Sequence, residues 1–200
     1  TGAAEVLGLD ASQALSDADT AALKAAFARN PILAFRDPHL TPPQQAAFSR
    51  IFGELEDQVL SEHVHPDDPY VLILSNEIRP DGTAVGVVDA GDFWHSDSSH
   101  HEEPVKITIL QSVRNPSRGG DTDFCDMYAA YDALPDEVKA QIAGRFGVHH
   151  VSKAINPRVT ISPSRPGAQD FYETQAKTRS KVVQPLVRTH DETGRQALYV

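Results

Sequence analysis

Basic residues are in short supply in this chain. Lysine and arginine total 18 against 28 aspartates and glutamates, a formal net charge of −10 over 200 residues. Nucleic acids and anionic membranes both need a positive patch, so the balance argues against either partner. It leaves room for a small anionic substrate in a locally basic pocket. Cysteine is nearly missing. Cys125 stands alone, which excludes an internal disulfide and a thiolate metal cage and fits a reducing, cytoplasmic setting. No apolar run has the length to span a bilayer. No basic-then-apolar segment resembles a secretory signal, although a chain that starts without methionine leaves an earlier leader open. Internal repeats and low-complexity linkers are also missing. So are a Gly-x-Ser-x-Gly elbow and a phosphate-cradling glycine loop, the marks of an α/β-hydrolase nucleophile and of a nucleotide site. What is present is a 40% hydrophobic composition, enough for one globular domain over residues 1–200.

Local signals order the chain. Ser16, with Asp17 and Asp19 behind it, predicts a helix start, and Leu23, Ala26 and Phe27 give that helix an apolar stripe. Asn30-Pro31 ends it, and Ile32 to Phe35 reads as a short buried strand. Thr41, Pro42 and Gln44 form a capping box for a second helix with Ala47, Phe48, Ile51 and Phe52 on its buried face and Gly53 as its stop. Tyr70 to Leu74 reads as a strand and Asp81-Gly82 as a turn. The stretch from Thr83 to Ser99 has little regular pattern. Val105, Ile107, Ile109, Gln111 and Val113 then alternate with Lys106, Thr108, Leu110 and Ser112, a strand signature. Gly119-Gly120 marks a turn, Asp126 a helix cap and Pro135 a further helix carrying Val138 and Ile142. Val148 to Val151 reads as a strand, and Thr160 to Lys177 as a loop with a short helix. Leu186 to Arg188 and Ala197 to Val200 read as strands of a hairpin joined through Asp191 to Gly194. Because that last strand runs straight into Val200, its partner is expected beyond the chain, and the domain is expected to be truncated at its C-terminus.

The chemistry concentrates in Phe93-Trp94-His95-Ser96-Asp97. In an extended segment, residues two apart share a face, so His95 can bring an imidazole nitrogen and Asp97 a carboxylate oxygen to one ion. Two histidines and one carboxylate on one face of iron(II) leave three positions open for a bidentate co-substrate and oxygen. His-x-Asp alone also fits a plain surface pair, and a third ligand would have to come from a distant strand.

Around this tripeptide the chain resembles the taurine dioxygenase and chlorophenoxyacetate dioxygenase group of 2-oxoglutarate enzymes. The resemblance is carried by Trp94-His95-Ser96-Asp97-Ser98-Ser99, by Gly119-Gly120-Asp121-Thr122, and by Asp126 through Leu134. Phe35-Arg36-Asp37, Thr41-Pro42 and Phe52-Gly53 also match, as do Pro185 through His190 and Thr193 through Val200. These blocks occur in the right order over nearly the whole chain, and the central run leans towards the chlorophenoxyacetate branch. The resemblance implies a mainly β fold with flanking helices, the double-stranded β-helix or jelly roll. It implies iron(II), with 2-oxoglutarate and O2 as co-substrates. His95 and Asp97 would be metal ligands, and the Thr122 hydroxyl would bind a carboxylate of 2-oxoglutarate through a charge-assisted hydrogen bond. The remaining histidine ligand and the 2-oxoglutarate-binding arginine would lie beyond Val200. The implied reaction hydroxylates a small organic acid, of sulfonate or aryloxyalkanoate type, with release of succinate and CO2. The implied assembly is a homo-oligomer with a small-molecule substrate as its partner.

The other histidines carry weaker readings. His65 sits where the taurine branch places a histidine facing the substrate's anionic group, though an exposed loop histidine is equally compatible. Asn76 and Asp92 are further pocket candidates, and Lys106 is either a pocket residue or a solvated strand lysine. His100 and His101 are expected at the site entrance or in solvent, one of His149 and His150 in the core, and His190 in solvent. Cys125 reads as a small buried hydrophobe. Two other functions compete. A metal-free jelly-roll binding or scaffold domain would bind no iron at His95 and Asp97. A zinc hydrolase using the same ligands would need no 2-oxoglutarate, and the Thr122 motif weighs against it.

Overall fold

Ser16 shows how closely local chemistry sets the elements. Its hydroxyl accepts the Asp19 backbone N–H at 3.1 Å, and a helix runs from Asp17 to Arg29 until Asn30 closes it, donating from backbone and side chain to Ala26 O. In the computed structural model, which describes residues 2–58, 63–87, 91, 94–150, 174, 177 and 181–200, the elements in chain order are β1 (Ala3–Val6), α1 (Asp17–Arg29), β2 (Ile32–Phe35), α2 (Pro42–Ser49), β3 (Val64–His65), β4 (Asp68–Leu72), α3 (Met127–Asp132), α4 (Asp136–Ile142), β5 (Phe146–His149), β6 (Val182–Pro185), β7 (Val187–Thr189) and β8 (Gln196–Leu198). Among the described residues the strands pair only two by two: β1 with β2, β3 with β4, β5 with β6 and β7 with β8.

The chain divides into two compact units. The first comprises Thr1–Leu40, Ile109–Gly147 and Val183–Val200. In it β1 and β2 run parallel, Ala3 opposite Ile32 and Val6 opposite Phe35, with α1 as the crossover that a parallel pair requires. Leu23 on α1 is buried. Asp126 caps α3 as expected, one carboxylate oxygen accepting the N–H groups of Tyr128 and Ala129. The late hairpin is also present, β7 and β8 being antiparallel with Arg188 opposite Ala197, but β7 starts one residue later than expected and β8 ends at Leu198 instead of running into Val200. Arg195 at its tip lays its guanidinium over the Tyr128 ring at 3.9 Å, a cation–π contact that fastens the hairpin to α3.

The second unit comprises Thr41–Thr108 and Val148–Val182. The capping box of α2 forms in full, Thr41 and Gln44 each bonding the other's backbone N–H. The helix closes at Ser49, however, so Ile51 and Phe52 lie in the turn after it, and Ala46 rather than Ala47 is the buried alanine beside Phe48. Strand β4 is shifted two residues towards the N-terminus of the expected Tyr70 to Leu74. Its continuation makes a parallel bridge instead, Leu74 with Val87. There the Val87 N–H donates to Ile73 O at 2.8 Å and the Ser75 N–H to Val87 O at 3.0 Å. Gly86 is buried against this bridge, where an added Cβ would collide with the Ile73 carbonyl.

One expected strand does not form. Residues 105–113 belong to no strand among the described residues. The alternation nevertheless holds as far as Ser112: Val105, Ile107, Ile109 and Gln111 are half-buried, and Lys106, Thr108, Leu110 and Ser112 are exposed, whereas Val113, expected on the half-buried face, is exposed. Period-two burial records an extended backbone, whereas a strand also needs a neighbour's N–H and C=O groups. Gln111 supplies a side-chain substitute. Its amide donates to Leu40 O at 2.9 Å and accepts the Leu40 N–H at 3.1 Å. The expected strand at Val148 to Val151 begins earlier, at Phe146, and Val151 lies outside the described residues, as does nearly all of the segment read as Thr160 to Lys177. Strands β1, β3 and β6 were not expected from the sequence.

Candidate metal and co-substrate site

The Leu74–Val87 bridge pins the backbone a few residues ahead of the His-x-Asp segment. Trp94, His95 and Ser96 are irregular, and a turn follows at Asp97 to His100. Ser98 takes a positive φ of 51°, unusual for a residue with a side chain, and the His101 N–H closes the turn onto Ser98 O at 2.8 Å. This local path brings His95 Nε2 to 3.1 Å from Asp97 Oδ1. Both side chains are partly open to solvent, at 39% and 46% exposure. Two ligand atoms each about 2.1 Å from a metal, at a right angle, would stand about 3 Å apart, so the pair has the bite of two adjacent ligands as well as of a direct ion pair. The remaining oxygen, Asp97 Oδ2, accepts a hydrogen bond from the Thr108 hydroxyl at 2.7 Å. An imidazole nitrogen and a carboxylate oxygen are a donor set that suits a divalent first-row metal. Among the described residues no third His, Cys, Asp or Glu joins them.

The other singled-out residues are distributed as follows. His65 is half-buried, and its Nδ1 accepts the Asp67 N–H at 3.2 Å, which ties it to its own turn. Asn76 is exposed. Asp92 lies outside the described residues. Thr122 belongs to the first unit, exposed between Gly120 and the cap of α3. His100 and His101 are half-buried and meet edge to face, with centroids 4.6 Å apart. His101 Nδ1 lies 3.0 Å from Glu56 Oε1, so this histidine anchors the post-motif turn. His149 and His150 are both half-buried. His190 differs from its expected solvation: it is half-buried, and its Nδ1 accepts the Glu192 N–H inside the hairpin. Cys125 is exposed rather than buried. Sequence reasoning missed two contacts, Thr108 with Asp97 and Glu56 with His101. For the first, the alternation around Thr108 was a usable signal, since it put the hydroxyl on the open face of its segment.

Comparison with known proteins decides the family. The model of the taurine catabolism dioxygenase TauD, TfdA family matches residues 1–200. The chain belongs to this family. Among its curated relatives, the alpha-ketoglutarate-dependent 2,4-dichlorophenoxyacetate dioxygenase of Cupriavidus pinatubonensis is 33% identical, covering 99% of this chain and 69% of that protein. The (S)-phenoxypropionate/alpha-ketoglutarate-dioxygenase of Sphingobium herbicidovorans is 31% identical, covering 93% of this chain and 63% of the relative. Among solved structures, AAD-2 in complex with Mn(II) and N-oxalylglycine superposes with a TM-score of 0.66 at 28% identity, over 99% of this chain and 65% of that one. A taurine dioxygenase from Burkholderia xenovorans gives a TM-score of 0.71 at 29% identity, over 98% and 59%. The chain thus spans about two thirds of the length of its curated relatives.

Proposed function

We propose that this member of the family is an iron(II)- and 2-oxoglutarate-dependent dioxygenase that hydroxylates a small anionic substrate and releases succinate and CO2. The observation that carries the reading is the 3.1 Å approach of His95 Nε2 to Asp97 Oδ1 within a family match over the whole chain. His95 and Asp97 hold the iron. For His95 to offer its Nε2 lone pair, its proton sits on Nδ1. Asp97 brings one negative charge, so a divalent ion bound there keeps net positive charge and attracts the 2-oxoglutarate dianion. Thr122 donates its hydroxyl to a co-substrate carboxylate. When bound, iron with 2-oxoglutarate and O2 supplies the oxidising chemistry, and the protein supplies binding, orientation and electrostatics. His65 and Asn76 face the substrate, and the fold is a double-stranded β-helix.

Aryloxyalkanoates are the favoured substrate class. Two relatives carry such substrates in their names, and Trp94 to Ser99 leans the same way; alkylsulfonates are the second class to test. We place the enzyme in the cytoplasm as a homo-oligomer. No helix among the described residues is long and apolar enough to cross a membrane. The test is anaerobic addition of iron(II) and 2-oxoglutarate, followed by admission of O2 and measurement of succinate release over a panel of aryloxyacetates and sulfonates. A weak visible charge-transfer band that sharpens with one substrate class is the expected result. Neither band nor succinate under any condition would overturn the reading.

A further inference from the structure

We propose that Thr108 is a positioning residue for Asp97, holding one carboxylate oxygen so that the other is presented to the metal. The proposal rests on the reading of His95 and Asp97 as ligands and extends it. A free carboxylate can bind a cation through one oxygen or both, and its plane can rotate. Here the two oxygens have different partners. Oδ1 faces His95 Nε2 at 3.1 Å, and Oδ2 accepts the Thr108 hydroxyl at 2.7 Å. The hydroxyl therefore turns the carboxylate plane and keeps Oδ2 from competing for the ion.

Thr108 is suited to this role in two ways. A β-branched side chain is stiff about χ1, so its hydroxyl points in a defined direction once the backbone is set. The backbone is set by the other face of the same extended segment, where Val105 and Ile107 are half-buried while Lys106 and Thr108 are exposed. Hydrogen bonds from beyond the ligand shell commonly tune a metal site, and their removal typically weakens affinity about 10- to 100-fold. Thr108 is exposed, so water competes for Asp97 Oδ2, and the expected effect is at the lower end of that range.

The test compares the full-length protein with Thr108→Val, Thr108→Ser and Asp97→Ala. Mn(II) affinity is read from the paramagnetic resonance of free ion, and thermal unfolding is followed without metal. Thr108→Val is expected to bind Mn(II) about 10-fold more weakly with unchanged metal-free unfolding, Thr108→Ser to recover most of the affinity, and Asp97→Ala to lose binding. If Thr108→Val binds like the parent while Asp97→Ala does not, the proposal is overturned and the ligand assignment stands. Equal losses in Thr108→Val and Thr108→Ser would also overturn it, because the hydroxyl would then not be the cause. A parent protein that binds no Mn(II), or an Asp97→Ala variant that binds it equally well, would overturn the ligand assignment itself.

Discussion

Single side chains carry the chemistry proposed here. The same carboxylate that completes the bite with His95 also sets the size of the local positive charge once a divalent ion is bound. Replacing Asp97 by Asn keeps its shape and removes its charge, so metal affinity is expected to fall, while 2-oxoglutarate affinity at saturating metal is expected not to fall, because the ion then keeps more of its positive charge; calorimetry with and without metal measures both. Gly86 makes a purely steric prediction. Its Cβ would meet the Ile73 carbonyl, part of a backbone bridge rather than a yielding side chain. Gly86→Ala is expected to destabilise the protein by about 1–3 kcal/mol, the usual cost of overpacking, and denaturant unfolding checks it. Asp81 gives a pH signature. Hydrogen bonds from the Thr83 hydroxyl and backbone N–H hold its pKa below the ordinary 3.8. A lowered pKa means that the folded state favours the carboxylate. Its support for the turn is therefore present above the unfolded value and is lost as the pH falls through the folded one. The Thr83 amide resonance should titrate with a midpoint below 3.8, and this titration should vanish in Asp81→Asn. At this scale the sequence was legible where partners are close along the chain, as with His95 and Asp97 or Ser16 and Asp19. For Thr108 only the open face of its segment was legible and for Glu56 nothing was, because their partners depend on the path of the chain between them.

Helices were read most accurately at their N-terminal caps. The Thr41–Gln44 box and the Ser16 and Asp126 caps formed as expected, since a cap is satisfied within three residues and needs no tertiary partner. Thr41→Ala is expected to cost about 1 kcal/mol, seen as a lower unfolding midpoint. The extended segment at 105–112 marks the opposite limit. Its alternation correctly gave the backbone conformation and the two faces, but pairing depends on a neighbour that periodicity does not name. Gln111 compensates locally by bonding both backbone polar groups of Leu40. Leu40 is buried, so Gln111→Leu leaves an N–H and a C=O without those partners. A loss of about 1–3 kcal/mol is expected, and chemical denaturation would measure it.

Over the whole molecule, composition and motif order told more than periodicity. An ordered set of motifs identified the family, whereas the division into two compact units was not visible in a chain without linkers. Burial raises the Tyr199 pKa above its ordinary 10.0, with Arg188 opposing the rise. A raised pKa adds stability that is complete below the unfolded value and is lost as the pH climbs through the folded one. Unfolding at alkaline pH should accordingly track tyrosinate absorbance, and Tyr199→Phe should blunt that dependence.

The molecule also carries its own reporter. Its sole tryptophan, Trp94, adjoins His95 in sequence and is 70% exposed. Indole emission from such a setting is red-shifted, and a paramagnetic ion held at the neighbouring imidazole would quench it. Fluorescence of the unlabelled protein thus gives an optical readout local to the candidate site.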